Sequence, residues 1–177
     1  MTGAKEYGKA LFLITEEDGL SDKILNDVKT VERALNDNPD YVKLLDSPAL
    51  SKEERVSLAD TAFGRMDERL RNLIKILTER RSVHLFHSAA NEYYALYDAS
   101  RGIERVEAIT AVPLSEGQRK SLTLRLGKTL GKTVILSNTV DPSTLGGVKL
   151  RYSGVQIDGS VKTRLDGFEK ALKDTVI

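Results

Sequence analysis

The spacing of apolar residues changes once along this chain, near residue 102, and that change limits the possible folds more than any other feature. Before it, apolar residues recur at helical intervals. Tyr7, Leu11 and Ile14 share one stripe, Leu20, Ile24, Val28, Val31 and Leu35 share a second, and Leu70, Leu73, Ile74 and Leu77 form a third. Val83, Phe86, Ala90, Tyr93 and Tyr97 form another, with Gly102 as its stop. Asn38-Pro39 and Ser47-Pro48 interrupt the pattern, because proline disfavours the helical conformation in the residue before it. Ser51 and Glu54 have the spacing of a capping box and open a helix carrying Val56, Ala59 and Phe63. The expectation is about six helices with short connections, an antiparallel bundle.

After residue 102 the period shortens to two. In ERVEAITAV, Val106, Ala108, Thr110 and Val112 alternate with Glu107, Ile109 and Ala111, as in a strand. Ser115 and Gln118 form a second capping box, and KTVILSN reads as another strand. GGVKLRYSGVQID reads as a hairpin turning on Ser153-Gly154. Asp158 or Ser160 then caps a last helix carrying Val161, Leu165, Phe168 and Leu172. The fold class expected is α+β: an N-terminal six-helix bundle, residues 1–104, followed by a small C-terminal α/β domain, residues 105–177. The first part carries an excess of acid and the second an excess of base, within an overall net charge of +1, which suggests separate partners.

Several chemistries are disfavoured. Cysteine is absent, so there is no disulfide framework, thiolate metal site or cysteine nucleophile. GKTLGKTVIL, from Gly127, holds two Gly-Lys-Thr triplets that resemble the end of a phosphate-binding loop. Such a loop needs G-x-x-x-x-G-K-[ST] between a strand and a helix. Leu122 and Leu126 stand where the first glycine should be, and here a helix precedes a strand. The ordinary reading is a helix stop at Gly127 or Gly131, with Lys128 and Lys132 complementing the negative end of the dipole. His84 and His87 could share a metal only with a third ligand such as Glu79, and solvated or partly buried histidines are the better expectation. No G-x-S-x-G occurs, and Glu16-Glu17 and Glu53-Glu54 sit at helix ends, where dipoles and caps account for them. Tyr152 and Phe168 make no stacking series for nucleic acid. Lys149 and Arg151 share a strand face, either solvated or a docking surface. No apolar stretch reaches the ~20 residues of a membrane span.

The first helix is apolar nearly all round. Gly8, Ala10, Phe12 and Leu13 widen its stripe beyond the ~100° a surface helix needs. LIKIL has the same surplus through Ile76. Two such helices side by side would form a groove for a third, amphipathic helix, or would simply be a well-buried pair.

These residues also carry a resemblance. EYGKALFLIT, NLIKILTERRS and GGVKLRYSGVQIDGSVKTRLDGFEKAL resemble three motifs of the ATP synthase delta subunit family, which includes the mitochondrial oligomycin-sensitivity-conferring protein. The last motif is the most specific, through Gly147, Val148, Arg151, Asp158, Gly159, Ser160, Arg164 and Leu165. Gly8, Arg80-Arg81 and Thr144 depart from the family pattern. The resemblance implies a non-catalytic stator subunit of a proton-translocating F-type ATP synthase, joining the catalytic head to the peripheral stalk. It implies no catalytic residue, cofactor or metal. An alpha-subunit N-terminal helix would bind at Tyr7, Leu11, Ile14, Leu73, Ile74 and Leu77, and b subunits would engage the C-terminal domain around Gly147–Arg164. Nucleic acid is not an expected partner, and membrane contact would come only through the complex, at the cytoplasmic face of a bacterial plasma membrane. The start of the chain shows no secretory or organellar leader, which fits that location and fits a processed organellar protein equally. The alternative from another class is a helix-binding adaptor or regulatory module unrelated to ATP synthase.

Overall fold

The computed structural model describes residues 2–159, and the chain divides into two units, Met1–Asp98 and Ala99–Ile177. The first is helical: α1 (Thr2–Glu17), α2 (Ser21–Asp37), α3 (Pro39–Leu45), α4 (Lys52–Phe63), α5 (Glu68–Glu79) and α6 (Phe86–Ser100), the last running two residues past the division. Pro39 occupies the first turn of α3, where its missing N–H costs nothing, so α2 ends at Asp37 and a new helix begins at once. The Ser51 capping box is present: Ser51 Oγ accepts from the Glu54 amide at 3.2 Å, and Glu54 Oε2 accepts from the Ser51 amide at 2.8 Å. The helix expected from Val83 instead opens with a 3₁₀ turn, Val83–Leu85, before α6. Its cause lies on α3's side of the chain, where the Asp46 carboxylate accepts from the Val83 and His84 amides at 2.8 and 3.2 Å.

The helical unit's core is formed by the inward stripes of α2, α5 and α6, with Ile24, Val28, Val31, Leu70, Leu77, Phe86 and Tyr93 all buried. Tyr93 ties three helices together. Its hydroxyl lies 3.1 Å from Thr15 Oγ1 and donates to the Ser21 carbonyl at 3.0 Å, and its ring meets Phe12 edge-on at 5.7 Å. Gly8 lets α1 approach α6 closely, because a Cβ there would lie 2.1 Å from the Ala89 carbonyl oxygen. One buried cation escaped the sequence reading. Arg55 donates to the carbonyls of Thr78, Ser47 and Leu50 at 3.4, 3.4 and 2.5 Å. It thereby satisfies carbonyls of the segment between α3 and α4 and adds a second donor at the end of α5, where Thr78 also accepts the Arg81 amide at 3.2 Å.

The second unit contains β1 (Ile103–Thr110), α7 (Glu116–Leu130), β2 (Thr133–Val140), β3 (Val148–Tyr152) and β4 (Val155–Asp158), in sheet order β2-β1-β3-β4. β1 and β2 are parallel, so the chain must cross over between them, and α7 is the crossover. β3 returns antiparallel to β1, with Ala108 opposite Leu150 and Glu107 opposite Arg151. The β3–β4 hairpin turns on Ser153 and Gly154, at φ +43° and +75°, the positive pair a two-residue primed turn demands. The strand expected through Val112 stops at Thr110, and Val112 is exposed. The last helix expected from the sequence, with Val161, Leu165, Phe168 and Leu172, lies outside the described residues.

Candidate functional site

α1 and α5 lie side by side in opposite directions, since Arg69 at the start of α5 donates to Asp18 just past the end of α1 at 2.6 Å. The start of α5 is fixed by Asp67. Its carboxylate accepts from the Arg69 amide at 3.1 Å, from Lys23 at 3.1 Å and from the Arg69 guanidinium at 3.3 Å. Burial raises the pKa of Asp67, but these donors outweigh it and hold the group below its ordinary value.

Between the two helices runs a groove of about 330 Å³. α1 supplies Tyr7, Ala10, Leu11 and Ile14, and α5 supplies Arg69, Asn72, Leu73 and Ile76. Leu11 and Leu73 are buried and form its floor, whereas Ile14 and Ile76 stand 51% and 42% exposed on its rims. Together they leave apolar surface of two neighbouring helices uncovered along one seam. Leu13, 55% exposed, extends the apolar surface of α1 beyond the groove.

Of the six residues singled out from the sequence, Tyr7, Leu11, Ile14 and Leu73 line this groove. Ile74 and Leu77 do not: they are 1% and 0% exposed, packed into the bundle core. The reason is angular. α5 carries two adjacent apolar stripes, and the core takes Leu70, Ile74 and Leu77, leaving Leu73 and Ile76 for the outer seam. Ile76 and Ala10 were visible in the sequence as surplus apolar surface. Asn72 and Arg69 were not, because a polar residue on a helix reads as a solvated face.

The phosphate-loop resemblance dissolves in the same way. α7 ends at Gly131, whose φ of +65° makes it a left-handed stop, and Lys128 sits in the last helical turn. Lys132 reaches back to Glu104 at 2.7 Å, and Ser153 Oγ donates to the other oxygen of the same carboxylate at 2.5 Å. The Lys132 and Ser153 hydrogen bonds lower the Glu104 pKa. His84 and His87 each hold a carboxylate, Asp46 and Glu32, through Nδ1 at 2.6 Å. Glu79 is engaged by Lys52 at 3.1 Å, and among the described residues no group of metal-binding side chains is assembled.

In the second unit Lys149 and Arg151 share one sheet face, paired with Asp158 at 3.5 Å and with Glu107 at 3.0 Å. Gly147 has a φ of +78°, and the Gly159 amide donates to the Val148 carbonyl at 3.1 Å. Ser160, Arg164 and Leu165 lie outside the described residues. Thr144 is fully buried and its hydroxyl has no hydrogen-bond partner among the described residues. No described helix is long and apolar enough to cross a membrane.

Residues 4–172 match the family model for the ATP synthase delta (OSCP) subunit. The chain is 33% identical over 170 residues to the ATP synthase subunit delta of Geobacillus sp. (strain WCH70), covering 96% of each chain. It is 31% identical over 175 residues to that of Clostridioides difficile (strain 630), covering 98% of this chain and 97% of the relative. Among solved structures, a chain in the cryo-EM structure of the Toxoplasma gondii mitochondrial ATP synthase hexamer has a TM-score of 0.74 at 23% identity, covering 96% of both, a likeness of fold.

Proposed function

Since the chain belongs to the ATP synthase delta (OSCP) family and is thus a peripheral-stalk subunit of an F-type ATP synthase, we propose that its α1–α5 groove grips the N-terminal helix of an alpha subunit. Its immediate partners are other subunits of that complex. Residues 1–104 form the part that holds the catalytic head. Residues 105–177 form the part that engages the b subunits, around the β3–β4 hairpin and the residues that follow it. The protein makes and breaks no bond. It couples proton translocation to ATP synthesis by keeping the head from turning with the central shaft, and it sits peripherally at the cytoplasmic face of the bacterial plasma membrane.

One observation carries this reading: an apolar groove, open at the surface, between two helices whose inner stripes already fill the core. Such a groove suits an amphipathic helix, which lays its apolar face along the seam. Apolar burial yields about 25 cal/mol per Å² and is little weakened by salt. Exposed ion pairs give about 0–1 kcal/mol each and are screened. A stator loaded by torque is better served by the first. Two partner sites on one chain also raise the effective concentration for each other.

The experiment is titration of the full chain with a peptide from the alpha-subunit N-terminus. Ile14→Glu and Ile76→Glu change exposed rim positions and leave the core intact, so they report binding rather than folding. Each is expected to weaken binding at least tenfold, about 1.4 kcal/mol, with little dependence on salt in the wild-type chain. Binding that ignores both charges would refute the assignment.

A further inference from the structure

The groove is apolar along the α1 side, but the α5 side is not uniform. Arg69, Asn72 and Ile76 follow one another along the seam at intervals of three and four residues. Arg69 is occupied by Asp18 and Asp67. Asn72 differs: its carboxamide makes no hydrogen bond to any described residue, not even to Tyr7 or Arg69, the other polar side chains that line the groove. In the free protein Asn72 is exposed, so water satisfies it. A helix laid into the groove removes that water.

We propose that Asn72 fixes the register of the helix that occupies the α1–α5 groove, by demanding a neutral hydrogen-bonding side chain opposite it. The inference rests on the groove reading above and adds what the groove selects. A carboxamide carries two donors and a two-lone-pair acceptor, and covering it with an aliphatic side chain strands them all. The occupant that satisfies it is an amphipathic helix with one Ser, Thr, Asn or Gln set within an otherwise apolar face. A charged residue there suits the site poorly, because the nearest cation is already committed to two carboxylates. Sliding the occupant by one helical turn places an apolar residue over Asn72 and leaves the amide unpaired. An apolar seam alone tolerates such slips. A single polar position within it forbids them, as a lone asparagine does in a coiled-coil seam.

The test is a coupling experiment on the full chain, read by isothermal titration with the alpha-subunit N-terminal peptide. Wild type and Asn72→Leu are each titrated with the native peptide and with peptides in which one polar residue of the apolar face is replaced by Leu. Asn72 is exposed, so Asn72→Leu leaves the core untouched, and far-UV circular dichroism verifies this. One peptide replacement is expected to cost the wild-type chain about tenfold in affinity (about 1.4 kcal/mol) and to cost Asn72→Leu nothing. Asn72→Leu is expected to bind the native peptide several-fold more weakly. If every replacement costs both proteins the same factor, or if Asn72→Leu binds the native peptide more tightly, the inference fails while the groove reading stands. If the native peptide does not bind the wild-type chain, both fall.

Discussion

Replacing Gly8 by alanine sets two quantities against each other. In an open helix the change is favourable by about 1 kcal/mol, because glycine loses more backbone freedom on folding. Here the new Cβ would lie 2.1 Å from the Ala89 carbonyl oxygen and 2.9 Å from Glu92 Cβ, where ordinary contact begins at 3.4 Å. The obstructing atom belongs to the backbone of α6 and cannot rotate away, so α1 must retreat by about an ångström. Overpacking of that kind costs about 1–3 kcal/mol. The retreat also loosens the edge-on contact of Phe12 with Tyr93 at 5.7 Å and the Thr15–Tyr93 hydrogen bond at 3.1 Å, together worth about 1–2 kcal/mol. The expected net is a destabilisation of about 2 kcal/mol, which lowers the melting temperature of a unit this size by roughly 8–16 °C. Thermal and urea unfolding followed by far-UV circular dichroism measures it. Gly3→Ala, in the same helix with nothing within 4 Å of the new Cβ, is the control, expected to be neutral or slightly stabilising. If Gly8→Ala proves as stable as Gly3→Ala, the close crossing of α1 over α6 does not constrain the bundle, and the reasoning is wrong.

Thr144→Val removes a buried hydroxyl that has no partner among the described residues while keeping the shape, so it should raise stability by about 1 kcal/mol in urea unfolding. Arg55→Ala removes the donor to the Ser47 and Leu50 carbonyls and a second donor to Thr78 in the helical unit, and should cost about 2–4 kcal/mol, visible as a lower urea midpoint. Glu104 has a folded pKa held below its ordinary 4.5. It therefore stabilises above that value, and the contribution is lost as pH falls through the lower folded pKa. Glu104→Gln should cost about 1–2 kcal/mol at neutral pH and flatten the loss of stability below pH ~4.5 seen in acid titration of the wild type. Calorimetric titration with ATP should show no stoichiometric site in the isolated chain, since Lys132 is held by Glu104 and the first Gly-Lys-Thr lies in the C-terminal turn of α7, the negative end of its dipole.

Much of this architecture could be read locally. Both capping boxes, the Gly131 stop and the Ser153-Gly154 turn depend on residues within a few positions of one another, so their chemistry shows in the string of letters. Lys149 and Arg151 share a face because alternation in a strand leaves them no other arrangement. What failed to show depends on distant partners. The 3₁₀ turn at Val83 is imposed by Asp46, and the burial of Arg55 follows from carbonyls on two other segments. The groove was half legible. Surplus apolar surface on α1 and α5 announced a seam, yet which stripe of α5 faced outward was settled by how the bundle core claimed Leu70, Ile74 and Leu77. Leu77 at 0% exposure therefore probes folding, and Ile76 probes the seam.

The two walls of the groove are far apart in order of synthesis. α1 spans Thr2–Glu17 and its neighbour α5 spans Glu68–Glu79. At ~5–20 residues per second a growing polypeptide takes roughly 3–12 s to cover that interval. Throughout it, Leu11 has no α5 to pack against, and Phe12 waits longer still, for Tyr93 of α6. One wall of the groove is thus, on the ribosome, an uncovered apolar helix, and slowing elongation between residues 18 and 93 should worsen aggregation more than slowing it after 100.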